Sequence, residues 1–182
     1  MAIRNTPDHS GDDKERVVKG RISLIFVSIL MGAGAFLGVP SDAAAQSDVT
    51  IDQAVKSTSS VMRLKGSPQY AVLRFDMARR SIIVEKTFDS STSYDDFIAT
   101  FPDSDCRYYL VDFPYTDAVG RELSRFMLIT WTPENALVKD RMLYVTSSYS
   151  LRNELTGISL YVAAEEKDDV SYQSVLSIVV EP

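Results

Sequence analysis

Residues 105–113 read Asp-Cys-Arg-Tyr-Tyr-Leu-Val-Asp-Phe, residues 127–134 read Met-Leu-Ile-Thr-Trp-Thr-Pro-Glu, and residues 138–148 read Val-Lys-Asp-Arg-Met-Leu-Tyr-Val-Thr-Ser-Ser. A fourth run, residues 151–158, reads Leu-Arg-Asn-Glu-Leu-Thr-Gly-Ile. The first two runs predict strands at 107–115 and 125–131 that are apolar on both faces. Such strands are expected at the centre of a sheet that helices cover on both sides.

The third run predicts a long helix. Thr132-Pro133-Glu134 supplies an N-cap, a proline for the first helical position and an acid for the first turn. We expect this helix to reach about Ser148, where three consecutive hydroxyl side chains favour a bend. A further helix is then predicted at 150–155.

Helices and strands alternate through the rest of the chain. A helix is predicted at 52–65, strands at 69–76 and 81–88, a short helix at 94–101, a strand at 158–163 and a final helix at 168–179. The short link between the strands at 69–76 and 81–88 indicates an antiparallel hairpin. These elements predict an α+β fold, in which five strands form one sheet packed on both faces by helices.

Composition limits the classes of function. A chain of 182 residues, 45% of them hydrophobic, is long enough to bury one core and is typical of a single domain. The net charge of -6 argues against a nucleic-acid binder, because phosphate binding needs a concentrated basic field. One cysteine and one histidine, His9, do not suffice for a zinc site or a disulfide framework. We therefore expect no metal and no cofactor.

Most of the aromatic side chains fall within strand patterns. Core positions are predicted for Tyr108, Phe113, Phe126 and Trp131, and for Cys106 beside them. A catalytic thiol would need a base such as histidine nearby, and none follows the N-terminal segment. An enzyme is therefore not expected.

Residues 1–46 differ from the rest of the chain. Residues 1–21 are polar and charged without periodicity, which indicates disorder. Ile22–Val39 contains no charged residue and is followed by small residues. Basic residues, an apolar run and small residues are typical of a secretory signal peptide, and the run is also near the minimum length for a membrane helix.

The order and spacing of three motifs resemble the actin-depolymerising factor and cofilin family over about residues 47–179. These motifs are the Trp-Thr-Pro-Glu turn, the Lys-Asp-Arg-Met helix and the Leu-Thr-Gly-Ile exit. The resemblance implies an ADF-homology domain at 47–182, with a gelsolin-like, mixed, mostly antiparallel five-stranded sheet sandwiched between helices. It also implies a protein that binds actin monomers and filaments and promotes filament depolymerisation and severing, acting as a monomer in the cytoplasm. The alternatives are coactosin-like side binding, debranching as in glia maturation factor, and an exported or membrane-anchored ADF-homology module.

The resemblance also implies which residues bind actin. The implied monomer-binding residues are Ser47, Asp48, Val49, Lys139, Arg141, Met142, Ser147 and Ser148. In the family the cations of the helix face an acidic surface and the methionine fills an apolar hollow. Without the resemblance, a Lys-Asp-Arg run is more typical of a solvated helix face. The resemblance also implies that Ser47 is a candidate phosphorylation site, and negative charge there would weaken binding to acidic actin.

Filament binding involves a second region in the family. Arg121 and Arg125 fill part of it, but the final helix carries no Lys or Arg in residues 176–182. We therefore expect weaker severing than monomer binding. Phosphoinositides are expected to compete weakly at most through Arg79, Arg80, Lys139 and Arg141, since the acidic domain has no strong basic field.

The apolar run at 22–39 conflicts with a cytosolic partner. Three alternatives stay open. Residues 1–46 derive from upstream or intronic sequence and the true start lies near Ser47, or they form a working signal or anchor, or they are a real cytosolic extension. N-terminal sequencing of the native protein distinguishes the three.

Overall fold

A six-stranded mixed sheet forms the centre of the domain in the computed structural model, which describes residues 49–180. The elements are β1 (Thr50–Ile51), α1 (Gln53–Lys65), β2 (Tyr70–Asp76), β3 (Ser81–Phe88), α2 (Tyr94–Ala99), β4 (Arg107–Thr116), β5 (Glu122–Trp131), α3 (Val138–Glu154), β6 (Leu160–Ala164), a 3-10 turn (Lys167–Val170) and α4 (Tyr172–Val180). The strand order is β1-β3-β2-β4-β5-β6. The α+β class with helices around a central sheet is as predicted.

The sheet is mostly antiparallel. β3, β2, β4 and β5 pair antiparallel with their neighbours, whereas β1 runs parallel to β3 and β6 runs parallel to β5. The predicted count of five strands is wrong by one, because β1 was missed. Two residues are too few to display the alternation that identifies a strand in sequence.

Alternate residues of the central strands supply two separate cores. Tyr109 and Val111 point to the side that α2 and α4 cover, and Tyr108 and Leu110 point to the side that α1 and α3 cover. Both faces are buried at residues 108–111 of β4 and 126–131 of β5, which is why these stretches read as nearly continuous apolar runs. The site described below lies on the side of α3.

The predicted core residues are buried. Tyr108, Phe113, Phe126, Trp131 and Cys106 are each less than 9% exposed. The Trp131 indole N–H donates a hydrogen bond to the Pro102 carbonyl oxygen at 2.8 Å, so this buried polar group is satisfied.

Burial also sets the chemistry of the one cysteine. Loss of solvation, followed by the nearby Asp140 carboxylate, raises the pKa of the Cys106 thiol to about 11. A buried thiol that stays protonated at neutral pH is a poor nucleophile.

α1 begins and ends as its sequence predicts. The Asp52 carboxylate accepts a hydrogen bond from the Ala54 N–H at 2.8 Å, which caps the first turn. Gly66 then adopts a left-handed conformation with φ of 63°, and its N–H donates to the Met62 carbonyl oxygen.

The long helix differs from its prediction at both ends. α3 begins at Val138 rather than at Pro133, because the Ala136 N–H donates to the Pro133 carbonyl oxygen at 2.9 Å and closes a turn there. α3 then runs unbroken to Glu154, so the separate helix predicted at 150–155 is part of it. The Thr146 and Ser148 hydroxyls donate to helix carbonyls as expected, but the helix continues past them.

The final predicted helix is two elements. The 3-10 turn precedes Ser171, whose hydroxyl accepts from the Ser174 N–H at 3.3 Å and caps α4. Within residues 49–180, no helix has the length and apolar content needed to cross a bilayer. The predictions for residues 1–46, His9, Ser47 and Asp48 lie outside the described residues.

Candidate functional site

Two tyrosines fasten α3 to the sheet. The Tyr108 hydroxyl donates to the Tyr144 carbonyl oxygen at 2.7 Å, and the Tyr144 hydroxyl accepts from the Phe75 N–H at 2.9 Å. The two rings lie 4.7 Å apart. Burial raises the pKa of both phenols above the ordinary value of 10.0, so both hydroxyls keep their protons into the alkaline range. α3 is thereby held as a fixed surface.

α3 carries two apolar stripes on opposite sides. Tyr144 and Leu151 face the core, together with the fully buried Ser147. The outward stripe is exposed and consists of Val138, Met142, Val145 and Tyr149. Its spacing of four, three and four residues places these side chains on one face of the helix. An exposed apolar stripe on a rigid helix is typical of a protein-binding surface.

A groove of about 330 Å³ runs along this stripe. Its lining consists of Thr132, Val138, Arg141, Met142, Val145, Thr146 and Glu165. The Arg141 Nη2 atom lies 2.7 Å from the Glu165 Oε1 atom across the groove. The groove is therefore apolar along α3 and charged at one edge.

Two cations of the helix differ in their surroundings. Lys139 is exposed and has no ion pair of 4 Å or less within residues 49–180. Arg141 is paired with Glu165, and its side chain is only 28% exposed. Lys139 is thus more available than Arg141 to pair with an acidic group of a partner.

The structure places three of the eight predicted monomer-binding residues within one turn of α3. Lys139, Arg141 and Met142 lie at the N-terminal end of α3, and β1 packs against the same helix. Val49, immediately before β1, is half-buried against the core beneath α3. The chain therefore enters the domain next to α3.

The two serines predicted on α3, Ser147 and Ser148, differ in their exposure. Ser148 is partly exposed, and its hydroxyl donates to the Val145 carbonyl oxygen at 2.7 Å. Ser147 is fully buried, so its side chain does not share the surface that was predicted for it. Its spacing from Tyr144 and Leu151 places it on the core side of α3.

The predicted filament-binding arginines lie on the β4–β5 hairpin, away from the groove. Arg121 is exposed, and its Nε atom is 2.7 Å from the Asp117 Oδ2 atom. Arg125 is exposed and stands opposite Phe113 in the strand pairing. α4 carries no charged residue along its length.

Sequence reasoning missed part of this face. Val138, Val145 and Tyr149 complete the exposed stripe, and Arg152 extends it toward β6 by lying 4.0 Å from the ring centre of Tyr161. The helical spacing of these residues was visible in the sequence. It did not show which of the two stripes faces the core.

The residues of the groove are suited to binding a partner. In the part of the chain that the structure covers, no three His, Cys, Asp or Glu side chains are gathered so as to hold a metal ion. The groove residues include one carboxylate, one guanidinium and several apolar side chains. Such a set recognises a partner by shape and charge.

Comparison with known proteins identifies the family of the chain. The family model for the cofilin/tropomyosin-type actin-binding protein matches residues 48–179. Actin-depolymerizing factor 4 from Oryza sativa subsp. japonica is 34% identical over 125 residues, covering 69% of this chain and 90% of that protein. Cofilin from Yarrowia lipolytica is 32% identical over 135 residues, covering 74% of this chain and 88% of that protein.

A solved cofilin structure shares the fold of this domain. The crystal structure of Streptomyces griseoflavus cofilin superposes with a TM-score of 0.65 at 29% identity, covering 71% of this chain and 95% of that one. The family match spans nearly the whole described domain and includes α3 with its exposed stripe. The chain therefore belongs to the family of cofilin/tropomyosin-type actin-binding proteins.

Proposed function

We propose that this protein binds actin monomers and filaments and promotes filament depolymerisation and severing, acting on the cytoplasmic actin cytoskeleton. The observation that carries the proposal is the exposed apolar stripe of α3, held rigid by Tyr144 and flanked by Lys139 and Arg141. Family membership supports the choice of actin as the partner. No catalytic step is involved.

The two kinds of side chain have different roles in the proposed contact. Met142 and Val145 bury apolar area against the partner, which supplies most of the binding free energy. Lys139 and Arg141 face acidic groups, which favours fast and oriented encounter. Ser47, Asp48 and Val49 join this face in the proposal, since the chain enters the domain beside α3.

Filament contacts in the proposal involve Arg121 and Arg125. They lie on a different element from Lys139, so the two sets can contact two different subunits. Because α4 offers no cation, we expect filament decoration and severing to be weaker than monomer binding.

Co-sedimentation of the purified full-length protein with actin filaments tests the proposal. We expect the protein in the pellet and additional actin in the supernatant, both reduced by Lys139→Ala combined with Arg141→Ala. Lys86→Ala is the matched control for Lys139, because Lys86 lies over the Phe88 ring, which packs on the opposite core. Binding without release of actin would indicate coactosin-like side binding, and absence of binding would refute the proposal.

A further inference from the structure

Arg141 is already paired in the isolated domain. Its Nη2 atom lies 2.7 Å from the Glu165 Oε1 atom, and the pair closes one edge of the groove beside Met142. The pair joins α3 to the segment after β6, two elements that are distant in sequence. Any acidic group that binds Arg141 must share or replace Glu165.

The backbone holds Glu165 in this position. The Glu165 and Glu166 N–H groups both donate to the Asp169 Oδ2 atom, at 3.0 and 3.1 Å. On the other side, the Thr132 N–H donates to the Ala164 carbonyl oxygen at 2.9 Å. The backbone on both sides of Glu165 is thus held, which leaves the carboxylate within reach of Arg141.

The contact leaves part of the guanidinium available. One Nη2–Oε1 hydrogen bond uses one of the five donors that an arginine carries. A second carboxylate from a partner can therefore approach the same group, but it would lie close to Glu165 and be repelled by it. The Glu165 side chain is 50% exposed, which moderates this repulsion without removing it.

We propose that Glu165 is an internal competitor for Arg141 that lowers the affinity of the α3 face for an acidic protein surface. This inference rests on the proposed actin binding, where the partner surface is acidic. Lys139, which has no such competitor among residues 49–180, makes the first charge contact, and Arg141 contributes only as Glu165 gives way. Glu165 thus affects binding of the partner through its hydrogen bond with Arg141.

Glu165→Gln tests the competition, because it removes the charge and keeps the size of the side chain. We expect about threefold to fivefold tighter binding of monomeric actin, measured by fluorescence titration at low salt, with the gain shrinking as salt rises. In the Arg141→Gln background, the gain should shrink to that of the matched control, because only the direct repulsion between Glu165 and the partner remains. Glu134→Gln is the matched control, since Glu134 is exposed near the same edge and changes the net charge equally.

Three results would overturn the inference. They are an unchanged or weaker affinity of Glu165→Gln, an equal gain in the Arg141→Gln background, and an equal gain from Glu134→Gln. Failure of the unmodified protein to bind actin would instead refute the proposed function. The pair itself is checked on the free protein by NMR, where Glu165→Gln should speed solvent exchange of the Arg141 guanidinium protons and leave those of Arg107, paired with Glu85, unchanged.

Discussion

The Tyr108 hydroxyl donates a hydrogen bond to the Tyr144 carbonyl oxygen at 2.7 Å, from the middle of the sheet to the middle of α3. Tyr144 in turn accepts the Phe75 N–H through its own hydroxyl. One residue of the helix is thereby bound to two strands, β4 and β2. The outward stripe keeps its orientation because the inward side is fixed at this point.

Tyr144→Phe should destabilise the domain. The substitution leaves the half-buried Phe75 N–H without its acceptor, which should cost about 1 kcal/mol, the lower end of the range for an unsatisfied buried donor. Urea denaturation followed by the fluorescence of Trp131, the one tryptophan of the chain, measures the change. Tyr108→Phe should cost less, because it removes a donor and leaves a carbonyl within a helix. Equal stability of Tyr144→Phe and the unmodified protein would contradict the anchoring role.

Met142→Ala should weaken actin binding without affecting stability. Met142 is 65% exposed, so its removal forms no cavity, and we expect a change in unfolding free energy within about 0.5 kcal/mol. Loss of buried contact area with the partner should weaken binding about tenfold, or about 1.4 kcal/mol. Isothermal titration calorimetry with monomeric actin measures this loss.

Met77→Ala is the control for the methionine experiment. Met77 is 66% exposed but lies on the turn between β2 and β3, away from α3. It should alter neither stability nor affinity. Equal weakening by both substitutions would show that Met142 has no specific role in binding.

Cys106 should make the protein less stable at high pH. Its pKa is raised from 9.0 to about 11, so between these values the unfolded chain releases a proton that the folded chain keeps. The folded state then binds more protons, and stability falls as pH rises, by about 1.4 kcal/mol between pH 7 and pH 10. Urea denaturation at both pH values measures the loss of stability in the unmodified protein and in Cys106→Ala. Tyrosine titration affects both proteins equally, so the difference between their losses reports on Cys106 alone. A difference between them that does not vary with pH would contradict the prediction.

Gly157→Ala should destabilise the turn that follows α3. Gly157 has φ of 83°, a conformation that costs an alanine about 1–2 kcal/mol, and an added Cβ would meet the Arg63 Cδ atom. Gly120→Ala is the matched control, because Gly120 has φ of 82° with no atom within 4 Å of an added Cβ. Since the exposed Arg63 side chain can move aside, we expect the two losses measured by thermal unfolding to agree within about 0.5 kcal/mol. A much larger loss at Gly157 would show that Arg63 is held in place.

The element types and most of the core were predictable because they depend on local patterns. Continuous apolar runs identified β4 and β5, and Gly66 identified the end of α1. The errors lie where tertiary contacts override local signals. The helix predicted to begin at Thr132 begins only at Val138, because the Thr132 N–H extends the β5–β6 pairing to Ala164 and the Ala136 N–H then closes a turn on the Pro133 carbonyl oxygen.

The candidate site, like the fold, was only partly predictable from the sequence. The placement of Lys139, Arg141 and Met142 within one helical turn was predictable, because their spacing is a local property of the sequence. The orientation of α3 was not, because two apolar stripes have the same period and only packing on the sheet decides that Ser147 is buried and Tyr149 is exposed. The partner of Arg141 was not predictable either. The parallel pairing of β5 and β6 places Ala164 beside Trp131, and this register brings Glu165 to the groove from 24 residues away.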